Sequence, residues 1–120
     1  MFMTRRKHVP NVNEVVADCH KAHEDHISQF SKTIMSARVL DENGDMAGVI
    51  AISAHETWDE INHYVYQDPY TLAGAYAEIK IEEIDCYLLD AGYARAPDWF
   101  LERHPDLKPR FTAVERTGRR

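Results

Sequence analysis

Apolar residues recur along the chain with two different spacings, which predict where helices and strands lie. From about Val12 to Ser31 they recur every three or four residues. This is the spacing of one helical face, so a single helix is predicted there. Residues 33–40 and 47–53 are short apolar runs typical of strands. The second run has little polar alternation, which suits a strand covered on both faces.

Turn and cap signals fix where these segments begin and end. Asn43-Gly44 lies between the two strands and predicts a hairpin, because both residue types tolerate a positive φ. Thr57, with Glu60 three residues later, is a capping box that predicts a helix running to about residue 67. Pro69 ends that helix and suits the first turn of a short new one.

The remaining strands complete a known arrangement. Residues 77–88 alternate apolar and polar side chains, and a change of phase at Glu82-Glu83 predicts a β-bulge. A weaker signal indicates a short edge strand at residues 2–7. The order is then β-α-β-β-α-β, the ferredoxin-like arrangement of an α+β protein. Helices cover only one face of such a sheet, so we expect the other face to pair with a second sheet in a homodimer or larger homo-oligomer.

The length of 120 residues predicts one hydrophobic core. We place the ferredoxin-like domain at residues 1–90 and a C-terminal extension at residues 91–120. Prolines interrupt the extension, yet Trp99 and Phe100 are too apolar for a free tail. We therefore expect the extension to pack on its own subunit or on the partner subunit.

Charge and composition argue against nucleic acid and membranes as partners. The formal net charge is −6, whereas phosphate binding needs a clustered basic face. The basic runs at the two ends, Arg5-Arg6-Lys7 and residues 116–120, are interpreted as solvated tails. No apolar run approaches the roughly 20 residues of a membrane helix, and no secretory signal is visible. With Cys19 and Cys86 far apart, these features predict a cytoplasmic protein.

Three histidines on the first predicted helix are candidates for chemistry. His23 points inward near the centre of the apolar face, while His26 and His20 lie near its two edges. An inward imidazole needs a hydrogen-bond partner, so His23 is either a structural histidine or part of a reactive pair. The three histidines spread over too wide an arc to hold one ion together, and we predict no metal.

Asp68 is the second candidate. It has a complete structural explanation as the N-cap of the helix that begins at Pro69. Capping does not exclude chemistry, because a carboxylate fixed at a helix end can also face a pocket. If Asp68 reaches His23, the two form an oriented general acid/base pair.

Several segments of the chain resemble the YCII-related domain family. That family typically shows a histidine in the first helix, an Asp/Gly turn, and Asp-Pro-Tyr followed by Ala-Gly. The resemblance covers about residues 12–85 and aligns the family histidine with His23, with His26 as the runner-up. Arg38 stands in a strand where the family has Gly-Pro. The matching segments are Ser36 to Gly44, Gly48-Val49-Ile50, Gln67-Asp68-Pro69-Tyr70 and Ala73-Gly74.

The resemblance implies a dimeric α/β barrel with His23 and Asp68 as the catalytic pair, and activity on small molecules such as oxidised aromatic catabolites. We predict a lyase, dehydrohalogenase or isomerase that needs no cofactor and acts on a small acidic or cyclic substrate. Tyr70, Arg38 and His26 are the predicted substrate-binding residues. The alternatives are a non-catalytic ligand-binding or accessory dimer, in which the pair is merely structural, and a metal-binding variant that uses the helix histidines.

Overall fold

A four-stranded antiparallel sheet and four helices make up the part of the chain that the computed structural model describes, residues 1–85. The predicted extension and the end of the last predicted strand, residues 86–88, lie outside the described residues. The strands are β1 (Phe2–His8), β2 (Thr33–Leu40), β3 (Met46–Ser53) and β4 (Tyr76–Glu83). The helices are α1 (Val12–Val15), α2 (His20–Phe30), α3 (Trp58–Tyr66) and α4 (Pro69–Leu72).

The strands lie in the order β2-β3-β1-β4, with β1 and β3 in the centre, so the edge position predicted for residues 2–7 is wrong. The predicted ferredoxin-like α+β fold is confirmed by this order and by the succession of elements, in which each helical connection consists of two pieces. The predicted hairpin is also present, since β2 and β3 pair directly. Gly44 in its turn has a φ of +81°, and the Asp41 carboxylate accepts the backbone N–H of Asn43 at 2.8 Å.

The single helix predicted over residues 12–31 is wrong, because a turn separates α1 from α2. The Cys19 N–H donates to the carbonyl of Val16 at 3.1 Å, which closes the turn. Val16 and His26 are both buried. On one continuous helix they would lie about 80° apart, and the break lets each point inward from its own segment. The turn also changes which histidine lies deepest: His26 is buried, whereas His23 is partly exposed.

The bulge predicted at Glu82-Glu83 is wrong as well. These residues pair with Met3 and Phe2 in regular register, and the register shift between β1 and β4 lies at Lys7/His8 instead. Because β4 is an edge strand, a polar side chain there can reach solvent from either face. A change in the polar pattern therefore does not require a change in the backbone.

The core lies between one face of the sheet and α3. Phe2, Ile61 and Val65 are fully buried there, and Ile79 and Ile81 pack against them. Strand alternation places alternate residues of β1 on this face, and they include Arg6, which is 8% exposed. The interpretation of Arg5-Arg6-Lys7 as a solvated tail is therefore wrong for Arg6, which points towards the helices from a central strand.

The opposite face of the sheet is more open. Met35 and Val39 on this face are 40% and 38% exposed. Arg5 and Lys7 lie on the same face and are exposed too. A second copy of the chain would cover this face in the predicted homodimer, which stays a prediction.

Candidate active site

Asp68 occupies the junction between α3 and α4. Its backbone is extended, and its side chain accepts the N–H of Tyr70 at 3.0 Å, so the predicted N-cap is confirmed. Pro69 at the first helical position needs no hydrogen-bond acceptor and favours an extended residue before it. The carboxylate is therefore fixed by local structure, and the Asp68 side chain is only 2% exposed.

His23 reaches this carboxylate from α2. Its Nδ1 lies 2.7 Å from Oδ1 of Asp68, and its side chain is 18% exposed. A carboxylate accepts a hydrogen bond, so we assign the proton of the neutral ring to Nδ1. This tautomer leaves the Nε2 lone pair without a proton. The structure thus brings together the two residues that the sequence singled out.

Tyr70 stacks on the imidazole of His23. The two rings are parallel within 2°, and their centroids are 3.6 Å apart. The Tyr70 hydroxyl is in hydrogen-bond contact with Nδ1 of His20. Burial, followed by negative charge at Cys19 and Asp68, raises the pKa of Tyr70 above its ordinary value. The phenol is therefore protonated at neutral pH and has an O–H to donate.

Arg6 approaches the second oxygen of the Asp68 carboxylate. Its Nη1 lies 3.9 Å from Oδ2, and its side chain is 9% exposed. The guanidinium also lies 5.4 Å from the ring centroid of Tyr76. Arg6 was not among the predicted site residues, although it has the same strand parity as the buried Phe2 and Thr4.

These side chains surround a cavity of about 470 Å³ on the helical side of the sheet. Asp68 is not part of the lining and lies behind His23. The basic and aromatic part of the lining is formed by Arg6, His8, His20, His23, Tyr64, Tyr70 and Tyr76. Val12, Val16, Ile27 and Val49 contribute aliphatic surface. The volume is within the range of sites for small organic ligands.

The structure places His26 and Arg38 outside this lining. His26 is buried, and its Nε2 lies 2.8 Å from the carbonyl oxygen of Tyr64 near the end of α3. Arg38 is exposed on the edge strand β2, on the same face as Arg6. Neither residue is in contact with the His23–Asp68 pair.

Two further findings concern metals and membranes. Within residues 1–85, no group of three or more His, Cys, Asp or Glu side chains is placed to hold a metal ion. No helix in this part of the chain is long and apolar enough to cross a membrane.

A ferredoxin-like domain with a His–Asp pair beside a cavity is thus the class of protein that the structure defines. The chain matches no protein-family model and no curated protein. Among solved structures it is similar to 5-chloro-2-hydroxyhydroquinone dehydrochlorinase (TftG) from Burkholderia phenoliruptrix AC1100, in complex with 2,5-dihydroxybenzoquinone. The TM-score is 0.59 at 28% sequence identity, over 72% of this chain and 94% of that chain.

Proposed function

We propose that this protein is a YCII-related lyase that catalyses an elimination, such as a dehydrohalogenation, on a small cyclic substrate. The observation that carries the proposal is the 2.7 Å contact between His23 Nδ1 and Asp68 Oδ1 beside the cavity. The similarity to a dehydrochlorinase at 28% identity supports the type of reaction. His23 is the general base, and Asp68 is the residue that positions it.

The chemistry follows from the tautomer of His23. With Nδ1 bound to Asp68, Nε2 is the atom that takes a proton from the substrate. On a hydroxylated aryl halide the reacting form is the keto tautomer, in which a hydroxyl proton has moved to the carbon that bears the halide. The electron pair left by the abstracted proton then shifts through the ring to form a new double bond at that carbon, and the halide departs with the electrons of its bond to carbon. Proton and halide leave as HX, so neither an oxidant nor a cofactor is required. A positioned base of this kind contributes about 10²- to 10⁴-fold to the rate.

Tyr70 has two roles in this proposal. Its ring restrains the imidazole plane by stacking at 3.6 Å, and its hydroxyl supplies a hydrogen bond at the edge of the cavity. His20 holds that hydroxyl in place from the first turn of α2.

We also propose that the protein is a homodimer whose two sheets face each other. The support is the open sheet face, on which Met35 and Val39 are exposed. Light scattering on the full chain would then give twice the 13.9 kDa mass of one chain. A mass of one chain at micromolar concentration would contradict this part of the proposal.

Turnover of 5-chloro-2-hydroxyhydroquinone, measured anaerobically as chloride release, tests the activity. We expect the full chain to release one chloride for each quinone formed, above the rate without protein. His23→Gln should lower this rate by about 10²-fold or more. His63→Gln is the matched control, because His63 is exposed on α3 and does not line the 470 Å³ cavity.

The results separate the proposal from its alternatives. Full turnover by His23→Gln would contradict it. Tight binding of 2,5-dihydroxybenzoquinone without turnover on a panel of halogenated hydroxyaromatics would favour a ligand-binding protein.

A further inference from the structure

Two buried nitrogen atoms on β1 lack a hydrogen-bond partner among residues 1–85: Nε of Arg6 and Nδ1 of His8. The two side chains are two residues apart on one face of the strand, and both line the 470 Å³ cavity. A buried polar atom without a partner destabilises the fold. Two such donors in one cavity indicate a place where a ligand supplies the acceptors.

Arg6 keeps hydrogen-bonding capacity for such a ligand. Guanidinium is always charged and carries five N–H donors. The 3.9 Å separation from Asp68 balances charge but is longer than a hydrogen bond. The other oxygen of Asp68 is bound to His23 and to the Tyr70 N–H, so the carboxylate is held away from Arg6.

His8 is suited to act as a neutral donor. Burial, and then the positive charge of Arg6, lowers the pKa of His8 below its ordinary value of 6.5. A neutral imidazole has one N–H, which Nδ1 can carry. Tyr76 holds both side chains, with its ring stacked on His8 at 5.6 Å and beside Arg6. Burial raises the pKa of Tyr76, so its phenol adds no negative charge to the cavity.

We propose that Arg6 and His8 form an oxyanion subsite, which binds the phenolate or enolate oxygens of a hydroxylated, planar ring while His23 acts on another atom of that ring. The inference rests on the proposed function for the reaction at His23. Alternate residues of a strand have Cα atoms about 6.6 Å apart, a separation that suits two oxygens on one six-membered ring. The aromatic rings that line the cavity suit a planar ligand. The substrate-binding role that the sequence predicted for Arg38 thus passes to Arg6 in this proposal.

Direct binding tests the subsite separately from turnover. The probes are 2,5-dihydroxybenzoquinone, a vinylogous acid that is ionised at neutral pH, and 2,5-dimethoxybenzoquinone, which has the same ring without an ionisable hydroxyl. We expect calorimetry on the full chain to show clearly tighter binding of the first. Arg6→Gln should weaken it by roughly 10- to 100-fold, as expected for a charge-assisted hydrogen bond. Lys21→Gln is the matched control, because Lys21 is 88% exposed on α2 and does not line the cavity.

Two further variants keep the test decisive if Arg6→Gln does not fold. His8→Phe retains a ring against Tyr76 and does not touch Asp68, and it should weaken binding of the oxyanion by a smaller factor. Arg6→Lys keeps the charge and should bind better than Arg6→Gln. Equal affinity for the two probes, no binding of either, or wild-type affinity in folded Arg6→Gln and His8→Phe would overturn the subsite.

Different experimental results would contradict the oxyanion subsite and the proposed elimination activity. Binding that depends on Arg6 and His8, without turnover on any substrate, would contradict the elimination activity alone. Turnover that depends on His23 but not on Arg6 or His8 would contradict the subsite alone.

Discussion

Oδ1 of Asp68 accepts two hydrogen bonds at once, from Nδ1 of His23 at 2.7 Å and from the backbone N–H of Tyr70 at 3.0 Å. The cap that begins α4 and the contact that orients the imidazole therefore share one oxygen atom. Local backbone geometry fixes this oxygen, so His23 is held by a group that does not need to be ordered when a substrate binds.

Asp68→Asn separates the two tasks of this oxygen. Asparagine caps helices as well as aspartate does, so α4 should form as before. The amide of asparagine can donate a hydrogen bond as well as accept one. His23 should therefore no longer be restricted to the tautomer with its proton on Nδ1. We expect ¹⁵N NMR of the His23 ring to change from one tautomer to a mixture, and turnover to fall by about 10²-fold. Asp25→Asn, at an exposed site on α2, is the control. An unchanged tautomer and rate would contradict the proposed role of Asp68.

Tyr70 combines a stacked ring with a hydrogen-bonded hydroxyl, and two variants distinguish them. Tyr70→Phe keeps the ring on His23 and removes only the link to His20. Tyr70→Ala removes both, so the imidazole loses its restraint. We expect turnover to fall in Tyr70→Phe and to fall further in Tyr70→Ala, with both variants folded by circular dichroism. Equal rates in the two variants would show that the ring does not position His23.

His26 should contribute to stability and not to turnover. It bonds the Tyr64 carbonyl, one of the acceptors that a helix leaves unpaired near its C-terminal end. His26→Leu would leave that carbonyl without this bond and should lower the free energy of unfolding by about 1–3 kcal/mol. We expect the turnover rate per folded molecule to be unchanged. A urea titration of each protein gives its free energy of unfolding and hence the folded fraction. A stable variant with lost turnover would instead support the substrate-binding role that the sequence suggested.

The lowered pKa of His8 predicts a pH dependence of stability. The unfolded chain takes up this proton near pH 6.5, whereas the folded chain does so only at lower pH. The neutral form is therefore favoured in the fold, and its contribution is complete above about pH 6.5 and decreases as the pH falls below that value. The groups that face His8 are Arg6 on its own strand and Tyr76 on β4.

Melting temperatures of wild type and His8→Phe between pH 7.5 and 5.5 measure this effect. We expect wild type to lose more stability than the variant as the pH falls. Other titrating groups act on both proteins, so the difference between the two isolates His8. Parallel curves would contradict the lowered pKa.

Sequence signals of short range predicted much of the fold. The capping boundaries of α3 and α4, the hairpin at Gly44 and the two strands that it joins, β2 and β3, depend on residues only a few positions apart. Such signals act through local hydrogen bonds and φ preferences, and the tertiary packing of these segments is compatible with them. Asp68 belongs to this group, because its position is that of a local cap.

The sequence by itself therefore determined the order of the elements and singled out His23 and Asp68 as candidates, while the tertiary structure alone decided how these residues are placed. A helical wheel adds 100° for each residue, so the turn at Val16–Cys19 changed the directions predicted for His23 and His26. Successive side chains of a strand point to opposite faces of the sheet. Arg6 therefore points inward, because it lies on the same face of the central strand β1 as the buried Phe2. Its 3.9 Å approach to Asp68 joins positions 62 residues apart, a separation at which no local pattern in the chain specifies a contact.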